Sequence, residues 1–102
     1  MFNRSGARFA SYTVATSLPD EAIDNVWFLI DNDIQGVFPL TNLIKFDLIN
    51  NNGKLSYDFI QGNNLVATFD SPFPYEDSYP RSIVVYDSGD QQLIATPSDI
   101  NL

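Results

Sequence analysis

Residues 43–61 read LIKFDLINNNGKLSYDFIQ, and their alternation places the chain among sheet proteins. Ile44, Phe46 and Leu48 fall on one face of an extended segment, Lys45 and Asp47 on the other, which is the period-two pattern of a half-buried strand. Asn50-Asn51-Asn52-Gly53 follows, a turn whose residues tolerate left-handed backbone. Lys54–Gln61 answers with Leu55, Tyr57 and Phe59 against Ser56 and Asp58. The pattern predicts a β-hairpin. Downstream, Gly62-Asn63-Asn64 turns again and Leu65–Phe69 returns as a third strand. Ser82–Tyr86 and Gln92–Thr96 predict two more, joined at Asp87-Ser88-Gly89-Asp90, where Gly89 supplies a positive φ. Ser71–Arg81 is excluded from any central strand, because Pro72, Pro74 and Pro80 donate no ladder hydrogen bond. Pro97–Leu102 reads as a tail.

Upstream, Arg8–Thr16 is rich in β-favouring residues (Tyr12, Thr13, Val14, Thr16) and predicts a strand. Ser17 then offers an N-cap, Pro19 suits a first turn, and Asp20 and Glu21 face the positive end of a helix dipole. Ile23, Val26, Trp27 and Ile30 recur at helical spacing, so one helix is expected from about Pro19 to Asn32, with Trp27 in its buried stripe. Residues 1–7 lack pattern and are expected to fray. The expected architecture is a single α+β domain over 1–102. Its sheet has five or six mostly antiparallel strands and is packed on one face by one helix.

The chain has 102 residues, 44% of them hydrophobic, enough to withdraw roughly two-thirds of its unfolded surface from water. Five Lys and Arg stand against 13 Asp and Glu, a net charge of −8. Binding to nucleic acid or to an anionic membrane would begin from repulsion. Cysteine and histidine are both absent, which excludes disulfides, thiol nucleophiles, the usual zinc sites and Ser-His-Asp triads. No apolar run reaches the length of a membrane helix, and no signal segment opens the chain. A cytoplasmic location is the expectation.

Three constellations could carry function. Asp20, Glu21, Asp24, Asp31 and Asp33 lie between residues 20 and 33 with no base among them. They predict either an acidic contact surface, with Phe28 and Leu29 as apolar anchors, or a solvated helix face with Phe28 packed under a loop. The loop 71–81 sets Phe73, Tyr75 and Tyr79 beside Glu76, Asp77 and Arg81 and is stiffened by prolines. Its rings either bind a ligand or fold inward to cap the sheet. Asp31-Asn32-Asp33-Ile34-Gln35-Gly36 resembles the front of a calcium loop, but Asn42 stands where a bidentate Glu is needed, so no metal is expected there. No phosphate cradle or nucleophile elbow is present, so neither a catalytic residue nor a cofactor is expected.

Pro19-Asp20-Glu21 leading into Val26-Trp27-Phe28-Leu29-Ile30-Asp31, together with Ile83–Asp90, resembles a small domain-of-unknown-function family of Gram-positive bacteria and their mobile elements. The distinctive pieces are Trp-x-x-Ile-Asp and Asp-x-Gly-Asp. The resemblance runs from about Arg8 to Ile100 and brings no catalytic residues. It implies a context in which small acidic proteins inhibit type II CRISPR nucleases as nucleic-acid mimics. The expected function is therefore a non-enzymatic inhibitor of the anti-CRISPR type. It would dock Asp20, Glu21, Asp24, Phe28, Asp31 and Asp33, with Tyr75, Glu76, Asp77 and Tyr79, on the basic nucleic-acid groove of a partner protein. The alternative is a peptide- or ligand-binding module using loop 71–81.

Overall fold

The computed structural model describes residues 1–101. The strands are β1 (Ala7–Ala10), β2 (Leu43–Asn51), β3 (Lys54–Gln61), β4 (Asn64–Pro74), β5 (Ser82–Asp87) and β6 (Gln91–Ala95). Between β1 and β2 come α1 (Tyr12–Ser17), α2 (Asp20–Leu29) and a π-helical turn (Ile30–Ile34), and a 3-10 turn (Pro97–Ile100) follows β6. The strands form one open sheet in the order β1-β6-β5-β2-β3-β4. All neighbours run antiparallel except β1 and β6, which are parallel. The fold is α+β, with one main helix, α2, laid on one sheet face.

The hairpin register follows from its turn. Asn52 and Gly53 take positive φ (53° and 88°), which pairs Asn51 with Lys54 and hence Phe46 with Phe59 and Leu48 with Tyr57. Ile44, Phe46 and Leu48 then share the inner face with Leu55, Tyr57, Phe59, Ile83, Val85 and Ile94. Against them pack Ala22, Ile23, Val26, Leu29, Ile30 and Ile34 from the helical segment. Tyr57 ties the layers together by donating to the Ala22 carbonyl at 3.1 Å. Burial pushes the Tyr57 phenol up to about 12, against the opposing hydrogen bond to Asn25.

Several expectations are corrected. The strand expected over Arg8–Thr16 stops at Ala10, and Tyr12–Ser17 is helix. Ser11 ends the strand and caps α1, its Oγ accepting from the Val14 N–H at 3.2 Å while donating to Asp99 at 2.7 Å. Burial of Val14 and Leu18 overrides the weak helix propensity of the β-branched residues. Ser17 is not the cap of α2. It closes α1 by donating to the Thr13 carbonyl, and Pro19 stands at the N-cap of α2 with no side-chain bond. The helical path runs past Asn32, because a π-type bond from Gln35 N–H to the Ile30 carbonyl (2.9 Å) carries it to Ile34.

The buried stripe of α2 is also rotated. Ala22 and Leu29 are enclosed, whereas Trp27 is half-buried at the rim, so Leu29 is core and not an exposed anchor. Residues 1–7 do not all fray. Phe2 is fully enclosed, and its N–H donates to Asp87 at 2.6 Å. β4 continues beyond Phe69 through Pro72 and Pro74, which the sheet tolerates because β4 is an edge. The segment after Thr96 is a capped turn in which Thr96 and Asp99 bond reciprocally.

Candidate interaction surface

Asp20, Glu21, Asp24 and Phe28 all face outward from α2. Glu21 and Asp24 are three residues apart and Asp20 and Asp24 four, so these carboxylates are neighbours on the helix surface. Phe28 sits one turn further along the same face and is 57% exposed. No loop covers its ring.

The loop after β4 is built on backbone contacts. Tyr75 N–H donates to the Gly53 carbonyl (2.9 Å) and Tyr79 N–H to the Glu76 carbonyl (3.0 Å), which closes a tight turn with Glu76 and Asp77 at its tip. The Tyr75 and Tyr79 rings meet edge to face, centroids 5.8 Å apart, and both pack against the core. Their apolar bodies therefore cap the sheet, while Glu76 and Asp77 stay exposed. Burial, then the Glu76 carboxylate, then the Glu21 carboxylate raise the Tyr79 phenol above its ordinary range.

Asp31 belongs elsewhere. Its two oxygens accept from Arg8 at 2.6 and 2.9 Å, and Arg4 approaches to 3.5 Å. The hydrogen bond from Arg8 holds the Asp31 carboxyl below the usual range, outweighing burial. The Arg8 guanidinium also lies 4.7 Å over the Trp27 ring and donates to the Phe2 carbonyl. This cluster accounts for the rim position of Trp27, and it takes from the calcium-like segment its first oxygen ligand. Asp33 is half-buried on the π-helical turn. Among the described residues no group of Asp and Glu side chains gathers in metal-binding geometry. The ion pairs among them are Arg4–Asp31, Arg8–Asp31 and Lys45–Asp47, and none reaches Asp20, Glu21, Asp24, Glu76 or Asp77. Among the described residues no helix is long and apolar enough to cross a membrane.

These features define an acidic α+β domain with one helix-covered sheet face and exposed carboxylates on α2 and on the loop after β4. The chain belongs to the family described as staphylococcal protein of unknown function (DUF960), whose model matches residues 7–99. That agrees with the expected likeness to an unknown-function family of Gram-positive bacteria. A crystal structure of a protein of unknown function from Enterococcus faecalis is similar throughout. Its sequence identity is 41%, its TM-score 0.92, and the alignment covers 96% of this chain and 93% of that one. None of the curated proteins matches this chain.

Proposed function

We propose that this protein is a non-enzymatic interaction protein of the bacterial cytoplasm. It sets the surface formed by Asp20, Glu21, Asp24, Phe28, Glu76 and Asp77 into a basic groove that otherwise holds nucleic acid. The observation behind this reading is that Asp20, Glu21, Asp24, Glu76 and Asp77 are exposed and that, among the described residues, none of them is taken up by an ion pair. Fixed carboxylates facing prearranged Arg and Lys steer encounter and select the partner, and Phe28 supplies an apolar anchor beside them. The channel of an RNA-guided nuclease is a groove of this kind, so the inhibitor would act as a nucleic-acid mimic of the anti-CRISPR type, carried by a phage or mobile element. No cofactor enters this reading. The alternative, a ligand-binding module built on loop 71–81, has less support, because Tyr75 and Tyr79 turn their rings toward the core.

The test uses Glu21→Lys with Asp24→Lys, positions that no ion pair holds. Guide-dependent DNA cleavage by a type II CRISPR nuclease is measured with each protein at low and high salt. The parent should inhibit, less so as salt rises, and the double variant should inhibit on the order of a hundredfold more weakly. Undiminished inhibition by a folded double variant, or no inhibition by the parent, refutes this assignment. Asp31 is unsuited to the experiment, since replacing it would break its pairing with Arg8.

A further inference from the structure

The sheet face opposite α2 is open along Phe9, Tyr86 and Leu65, whereas Val84 and Ala95 on it are enclosed, and its composition is ordered across the strands. The first row runs Phe9, Leu93, Tyr86, Leu43 by direct cross-strand pairing over β1, β6, β5 and β2. Phe9 is 50% and Tyr86 37% exposed. The next row carries Val84, Lys45, Ile60 and Leu65, the last of them 58% exposed. The third row is polar, with Ser82, Asp47, Asp58 and Thr68 directly opposed. One side of this face is therefore apolar, and the other carries the acids, with Ile49 exposed among them.

Asp47 and Asp58 stand opposite each other, an arrangement of like charges that destabilises a sheet. Ser82 donates to Asp47 and Thr68 to Asp58, each at 2.7 Å, so both carboxylates are held in place as acceptors facing outward. Asp70 on β4 is fixed in the same way by Ser56 at 2.7 Å. Lys45 reaches Asp47 only at 3.7 Å and leaves the other two unneutralised.

The geometry points to this open face as a second docking surface, and charge complementarity names its occupant: a basic amphipathic segment of another protein. Apolar side chains of that segment cover the Phe9–Leu93–Tyr86 row, and its Lys or Arg side chains meet Asp47, Asp58 and Asp70. A second copy of this chain does not fit. A two-fold contact opposes a patch to itself, which brings Asp47 and Asp58 against their own copies. Shifting the copies so that the acidic row meets the apolar row buries carboxylates without partners. The surface is separate from the one proposed above, which lies on the helix side.

The experiment is an NMR titration of the labelled full chain with a synthetic helical peptide whose leucine stripe is flanked by lysines on the same side. A leucine–glutamate peptide is the control. Saturable shifts are expected at Phe9, Leu93, Tyr86, Asp47 and Asp58 with the lysine peptide alone. Tyr86→Ser and Asp58→Asn should each weaken its binding roughly tenfold while Asp24→Lys leaves it unchanged. The spectra themselves report whether each variant is folded. Shifts confined to α2 and loop 75–81, equal binding of the glutamate peptide, or sedimentation of the free protein as a dimer that Tyr86→Ser dissolves would each overturn the proposal.

Discussion

Arg8→Ala should be among the most damaging single changes in this chain, although it deletes a charged side chain. The Arg8 guanidinium makes two hydrogen bonds to Asp31, one to the Phe2 carbonyl at 3.1 Å and one to Gln92 at 3.0 Å. Only 15% of the Arg8 side chain and 12% of the Asp31 side chain are exposed, so the pair is unlike surface ion pairs, which are worth about 0–1 kcal/mol. Removing one partner of an enclosed pair costs about 3–5 kcal/mol, because the remaining charge loses its compensation. Arg4 remains at 3.5 Å from Asp31 and lowers that figure. The donors lost to Phe2 and Gln92 raise it by about 1 kcal/mol each. The balance is about 3–4 kcal/mol, a fall in Tm of roughly 15–25 °C for a domain of this size. Urea unfolding followed by circular dichroism measures it, since Trp27 fluorescence changes when Arg8 leaves its ring. Adding Asp31→Asn to Arg8→Ala should restore part of the loss by removing the orphaned charge. An Arg8→Ala protein within about 1 kcal/mol of the parent would refute the reasoning, because the cluster would then be worth no more than a surface pair.

Acid should destabilise the fold. Arg8 lowers the Asp31 carboxyl, the Phe2 and Gly89 N–H groups lower Asp87, and the Thr96 N–H together with the Ser11 hydroxyl brings Asp99 down to about 2. Each folded value lies below the unfolded one near 4, so the stabilisation is complete above pH ~5 and is lost as pH falls through the lowered values. The urea midpoint should drop between about pH 4 and pH 2, less steeply in Asp31→Asn; a midpoint that rises on acidification contradicts the pairing. Phe46→Ala, at a fully enclosed site, should cost about 3–5 kcal/mol, and Trp27→Ala, at the helix rim, about 2–3 kcal/mol. Equal losses in urea unfolding would mean that α2 is turned to bury Trp27.

What could be read from sequence was what local periodicity controls. The alternation in Leu43–Ile49 and Lys54–Gln61 marks which side chains face inward, because side chains in a strand alternate whatever the rest of the chain does. Asn52-Gly53 also carries the register, and with it the opposition of Asp47 to Asp58 on the outer face. The rest depends on partners far along the chain. Tyr12–Ser17 is helical because Ser11 and Thr13 bond Asp99, 88 and 86 residues away. Phe2 is anchored by Asp87 across 85 residues. Asp31 looks like one more acid of a base-free run until Arg8 is brought over it by the parallel pairing of β1 with β6. The prolines of β4 signalled a loop, and only the strand order shows that they lie along an edge.

The distribution of the few bases separates acids that serve the fold from acids that do not. Arg4 and Arg8 are spent on Asp31, Lys45 on Asp47, and Lys54 reaches the Pro72 carbonyl. Asp99 and Asp87 are held by backbone N–H groups and hydroxyls, so their charge supports turns and the N-terminal segment. Asp20 and Glu21 gain something from the first turn of α2, where the dipole favours negative charge. Asp24 gains nothing of that kind. It lies beyond the first turn, three and four residues from two like charges, in an arrangement that costs an isolated helix a few tenths of a kcal/mol. Burial, with the Glu76 and Glu21 charges, raises the Tyr79 phenol, and no ion pair among the described residues offsets either carboxylate. Neutralising Asp24 would therefore leave the fold unharmed or slightly steadier, so stability does not account for a carboxylate there. A charge that the fold does not require, set beside an exposed phenylalanine, is what a surface shaped by recognition contains.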